Sequence, residues 1–108
     1  FAAAIGALQV AQNNPKVRVD AQFCLGMCFN EKGLKPEAME TFRRCLEAYE
    51  LADTGDQKSK EIHYWLARSL EDTGGIPEAM GIYSKITQWD YNFRDVRKRL
   101  EDLRAKAV

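Results

Sequence analysis

This sequence predicts an all-α fold of stacked helix pairs, and three observations carry the prediction. Pro36-Glu37-Ala38-Met39 recurs letter for letter as Pro77-Glu78-Ala79-Met80, each time just after a glycine-marked turn. Gly26 and Ala67 each stand twelve residues before the alanine of the copy that follows, Ala38 and Ala79. The flanks align as well, with Leu25, Phe29 and Phe42 opposite Leu66, Leu70 and Tyr83. Self-similarity of this kind marks a repeat array, whose units bury their apolar faces against one another and leave an extended surface for partners.

Six helices account for nearly every residue. The first is expected from about Ala2 to Asn13, ending at Asn14-Pro15, and the second from about Lys16 to Lys32, stopped by Gly33, which can take the left-handed conformation that closes a helix. Pro36 opens the third at its first position, where the missing N–H costs nothing. Leu46, Tyr49 and Ala52 extend that helix to about Ala52, and Asp53-Thr54-Gly55-Asp56 follows as a polar turn. Asp56 and Ser59 are both candidate N-caps for the fourth helix, which ends at Gly74-Gly75. The fifth starts at Pro77 and runs to about Gln88, and the sixth covers about Asn92 to Lys106.

The sixth helix carries a message of its own. Val96, Leu100 and Leu103 take the places held by Ile62, Leu66 and Ser69 in the preceding repeat, so the stripe that docks on that repeat is kept. Arg97, Glu101 and Arg104 fall where His63, Ala67 and Leu70 stood, and a charged face there meets water rather than another helix. The array is therefore expected to end here with a solubilising cap.

The spacing Leu25-Gly26-x-x-Phe29, then Ala38 and Phe42, repeated as Leu66-Ala67-x-x-Leu70, Ala79 and Tyr83, resembles the tetratricopeptide repeat. Ala4, Leu8, Ala11 and Pro15 resemble the second helix of a preceding repeat, with Ala4 and Ala38 one family period of 34 residues apart. Trp89-Asp90-Tyr91-Asn92-Phe93-Arg94-Asp95-Val96 resembles the ending of many bacterial arrays of this family. Against the family pattern, Gln22 and His63 stand where the consensus tryptophan opens each first helix, and seven extra residues separate Ala38 from Ala79. Seven residues are about two helical turns, so two longer helices absorb them with both apolar faces in phase. The resemblance implies a right-handed superhelical solenoid of helical hairpins with a C-terminal capping helix. One domain holds a half-repeat (1–15), two repeats (16–55 and 56–91) and the cap (92–108).

Composition narrows the function classes. A chain of 108 residues with 45% apolar content suits a single domain that buries about two-thirds of its unfolded surface. Sixteen basic residues balance sixteen acidic ones, so bulk charge gives no push toward nucleic acid or anionic lipid. Three cysteines, with Cys24 and Cys28 one turn apart, provide neither a relaxed disulfide nor a zinc-knuckle spacing, which points to a reducing, cytoplasmic setting. The apolar opening Phe1-Ala2-Ala3-Ala4-Ile5-Gly6-Ala7-Leu8 lacks a basic leader and is too short to span a bilayer, and is expected as a buried half-repeat. A start at Phe1 in mid-repeat reads as a fragment of a longer protein.

No catalytic constellation emerges. His63 is the only histidine and holds a packing position. Cys45 fills a small-residue slot, Cys24 and Cys28 lie on a mostly apolar helix, and free thiols of this kind behave as small hydrophobes. Gly33 and Gly74-Gly75 lie between helices, without the phosphate-loop or dinucleotide pattern. Arg94, Arg97, Lys98, Arg99, Arg104 and Lys106 are interleaved with acids, as on a solvated helix face. Neither a metal nor a cofactor is expected.

The resemblance implies a concave groove lined from the first helix of each repeat by Asp20, Phe23, Met27, Asn30 and Glu31, and by Glu61, Tyr64, Arg68, Glu71 and Asp72. Phe23, Met27 and Tyr64 form an apolar centre expected to face solvent, and the acids and Arg68 form a rim, a composition found at peptide-binding surfaces. Trp65 and Cys24, next along, are open between groove and core. The family subtype that clamps a C-terminal carboxylate with Lys and Asn does not fit, because Phe23, Met27 and Tyr64 hold the matching places. The expected function is a non-catalytic module binding a protein or peptide partner, self-association included. The alternative is a regulatory or spacer segment of a larger bacterial enzyme such as a kinase.

Overall fold

The computed structural model describes residues 2–106, and the outermost parts of the expected half-repeat and cap, residues 1 and 107–108, lie outside the described residues. Six helices follow in order: α1 (Ala2–Ala11), α2 (Arg18–Glu31), α3 (Lys35–Ala48), α4 (Gln57–Thr73), α5 (Ile76–Trp89) and α6 (Val96–Lys106), with no strand among the described residues. Each helix packs on the next, and α2 also meets α4. Dimensions of 43 × 28 × 18 Å are those of a row of helices rather than a sphere.

Both intra-repeat turns are built the same way, for a reason legible in the glycines. Gly33 and Gly74 sit at φ +78° and +88°, which only glycine adopts freely. After them the N–H groups of Leu34 and Gly75 reach back to the carbonyls of Phe29 and Leu70, each at a distance of 2.9 and 2.8 Å respectively. That is the Schellman closure, which satisfies helix-end carbonyls. Pro36 and Pro77 then fall in the first turn of α3 and α5.

The small residues of the repeated segments are buried. Ala38, Ala67 and Ala79 are fully buried, and a Cβ added at Gly26 would come within 2.5 Å of the Phe42 ring. Phe42 and Tyr83, one turn beyond the alanines, fill the same two crossings and are fully buried. Phe93, Val96, Leu100 and Leu103 are buried as well, so α6 docks on its expected stripe.

Three expectations need correction. First, α3 does not run to Ala52 but stops at Ala48, where Tyr49 turns extended at ψ 112°. Its hydroxyl donates to Asp56 instead, and the Asp56 carboxylate caps α4 by accepting from the Ser59 N–H at 2.8 Å. The extra residues are taken up by the 49–56 loop and by α4, which has 17 residues against 14 in α2. Gly55, at φ +73°, lets that loop lie against the Trp89 ring.

Second, α6 starts at Val96 rather than Asn92, because Asp90 accepts from the Asn92 and Phe93 N–H groups and holds a turn ahead of the helix. Third, α1 is not buried. Ile5, Leu8 and Ala11 are half-covered and Val10 is 72% exposed, since only α2 is packed closely on this helix. Among the described residues no helix is long and apolar enough to cross a membrane.

Candidate functional site

The expected groove residues lie on α2 and α4, which stand side by side, and the structure divides them into three groups. Phe23 and Met27 are half-buried, rooted in the core with part of each side chain open; the Phe23 ring lies 5.9 Å from that of Phe42. Beside them is a hollow of about 480 Å³ lined by Asp20, Phe23, Cys24, Gln57, Lys58, Glu61 and Ile62. Trp65, left open by the sequence, is half-buried against the core, and Cys24 is exposed.

The acids form the second group, and all but one are already partnered. Asp20 accepts from Lys58 at 2.9 Å, and Glu61 receives a fork from Arg94, with Nη2 at 3.0 and 2.8 Å from its two oxygens. Glu71 pairs with Arg99 at 3.4 Å and accepts from the Tyr83 hydroxyl. Asp72 pairs with Lys35 at 3.4 Å, and the same ammonium donates to Asn30 at 2.7 Å. Glu31 alone among these acids is exposed without an ion pair among the described residues. The sequence did not single out Lys58, Arg94 and Arg99 as groove partners. Their one visible signal was opposite charge on the next repeat's leading turn or first helix.

Tyr64 and Arg68 make up the third group. Tyr64 does not face solvent: it is 3% exposed, because α6 and its leading turn close over it. Its hydroxyl donates to Asp95 at 2.6 Å, and its ring packs against Trp65, Tyr83 and Phe93. Burial would raise the Asp95 carboxyl, yet the hydrogen bond from Tyr64 and the Arg99 guanidinium hold it below its ordinary range. Arg68 is half-buried, donates to the Tyr64 oxygen at 3.1 Å, and lies 5.8 and 5.5 Å from the Tyr64 and Trp65 ring centres. Arg94 lies over the same two rings, at 5.2 and 5.8 Å, and takes φ +42°, a backbone region costly for a residue with a Cβ.

His63 and Cys45 are both held in the core. His63 is 5% exposed, bonded through Nδ1 to the Ser59 carbonyl at 2.8 Å and set edge-on to Trp89. Burial lowers its pKa, against the pull of that carbonyl. The buried Cys45 thiol donates to the Val19 carbonyl, and burial pushes its pKa up to about 12, out of reach of thiolate chemistry. Among the described residues no group of three or more His, Cys, Asp or Glu side chains is placed to hold a metal ion. Compared with known proteins, the chain matches no protein-family model and finds no significant match among curated proteins.

Proposed function

We propose that this chain is a non-catalytic protein–protein interaction module, the C-terminal part of a tetratricopeptide-type superhelix, that takes a peptide or helix of its partner on the α2–α4 face. The observation that carries the reading is the half-buried pair Phe23 and Met27, one turn apart on α2, with Phe23 lining a hollow of about 480 Å³. Contiguous apolar surface is costly in water unless something covers it, and aromatics with Met and Arg are what interface centres are made of. The family reading is supported by the twice-built Schellman turn followed by proline and by the fully buried Ala38 and Ala79. Three free thiols support a reducing, cytoplasmic setting.

A second reading, a regulatory or spacer segment of a larger bacterial enzyme, is favoured by the internal pairing of Asp20, Glu61, Glu71 and Asp72. Titration of a captured partner's binding segment against wild type, Phe23→Ala, Met27→Ala and the α3–α5 control Arg43→Ala separates the two. A module loses on the order of 1–2 kcal/mol of binding with Phe23→Ala and little with Arg43→Ala. Equal losses on both faces, or none, would favour the spacer.

A further inference from the structure

We propose that Arg68 is the receptor for a side-chain carboxylate, so that the α2–α4 face takes an acidic peptide whose neighbouring apolar residue lies on Phe23 and Met27. This rests on the interaction-module reading above and names its partner's chemistry. The first ground is the distribution of charge. Four of the five rim acids that would draw a basic partner are held from within, Asp20 by Lys58, Glu61 by Arg94, Glu71 by Arg99 and Asp72 by Lys35, and Glu31 alone is left without an ion pair among the described residues. Arg68 is the groove's own cation, and among the described residues it has no carboxylate.

The second ground is preorganisation. One of the guanidinium's five donors is used on the Tyr64 hydroxyl at 3.1 Å, and the plane is steadied by the Tyr64 and Trp65 rings. Tyr64 is itself fixed by Asp95 and the core, so Arg68 starts close to its bound geometry and loses little freedom when a carboxylate arrives. The third ground is a precedent on the same surface. Arg94 lies over the same ring pair and grips Glu61 through both carboxylate oxygens. A guanidinium over these rings thus already takes a carboxylate in a fork, and Arg68, with one amine on Tyr64, keeps its Nε and Nη2 donors without a partner among the described residues.

The neighbours limit the ligand to a modest negative charge. The chain as a whole has no net charge and Glu31 stands without an ion pair among the described residues, so a polyanion gains little. A single carboxylate set beside an apolar side chain suits both halves of the surface.

The test begins with selection of wild-type binders from a random peptide library displayed without a free C-terminus. Selected peptides are then synthesised acetylated and amidated, with Glu or Asp and with the matching amide, and titrated by fluorescence anisotropy against wild type, Arg68→Gln, Arg68→Lys and Phe23→Ala. Enrichment of an acid next to an apolar residue is expected, and the amide peptide should bind wild type roughly tenfold more weakly, in line with a charged hydrogen bond. Arg68→Gln should erase that difference and Arg68→Lys should restore part of it, both with unchanged helicity and melting. Acid and amide peptides that bind equally, while Phe23→Ala still abolishes binding, would overturn the role of Arg68 and leave the module intact. No enrichment, or indifference to Phe23→Ala, would overturn both. A labelled single-stranded oligonucleotide that binds more tightly than any peptide through Arg68 would overturn the choice of partner class.

Discussion

At the scale of single residues, alanine and glycine carry the fold and histidine reports on it. Ala38 is fully buried where α3 crosses α2, and the Phe42 ring already fills the space that Gly26 leaves. Ala38→Leu therefore has no void to enter, and denaturant unfolding should register a loss of about 1–3 kcal/mol; an unchanged midpoint would remove the crossing from the account. His63 supplies a pH test. Its folded-state pKa lies below the ordinary 6.5, so the unfolded chain takes up the proton more readily. Stability should be level above that value and fall as pH drops below it, until the folded-state value is reached. The lowered carboxyls of Asp53, Asp56, Asp90 and Asp95 titrate below their ordinary 3.8, outside this window. Unfolding free energies at about pH 7.5 and about pH 5.5 should thus diverge for wild type and agree for His63→Phe. The same divergence in both proteins would assign the effect elsewhere. The structural part of His63 was legible because its place in the repeat is a packing place. The burial of Tyr64 was not, since it depends on Phe93 and Asp95 arriving from the next unit.

Among the elements, turns built from neighbouring residues were legible and those closed at a distance were not. Gly33-Leu34 and Gly74-Gly75 close helices through hydrogen bonds to carbonyls five residues back, so the glycine and the proline after it suffice to place them. The end of α3 depends on the Tyr49 hydroxyl finding Asp56 across a loop, which apolar spacing does not encode. That bond raises the Tyr49 pKa to about 12, with burial adding to it. Asp56 thus joins two elements, capping α4 through Ser59 while holding the end of α3. Asp56→Ala should lower the melting temperature through loss of the cap, and lower it further because the Tyr49 partner is lost. Tyr49→Phe in the same background should add little if the two share one network, a double-mutant cycle read from thermal melts. Strict additivity would mean that the two act apart.

On the scale of the whole molecule, α6 both closes the core and decides which groove residues remain available. Its docking stripe was legible from the offset against the preceding repeat. Its effect on the groove was not, because Arg94, Asp95 and Arg99 reach residues some thirty positions earlier, Glu61, Tyr64 and Glu71. Tyr64 is accordingly a core anchor, so Tyr64→Ala should destabilise the chain rather than test binding. The same geometry sets the outcome of truncation. Removing the chain from Asn92 onward strips Phe93, Val96, Leu100 and Leu103, all buried, and uncovers Tyr64 on α4 and Tyr83 on α5. Four such side chains contribute roughly 6–12 kcal/mol at 1.5–3 each, an upper bound because the unfolded chain is not fully extended. That equals the whole stability of a typical domain of about 5–15 kcal/mol. The truncated chain should therefore keep partial helicity by circular dichroism but lose its cooperative melt, and elute as an associated species on size exclusion. A variant with the full chain and Leu100→Ala and Leu103→Ala should show an intermediate loss, because α6 is still there to be held by Phe93 and Val96. A truncated chain that melts cooperatively at the wild-type temperature would mean that α6 contributes nothing to the fold.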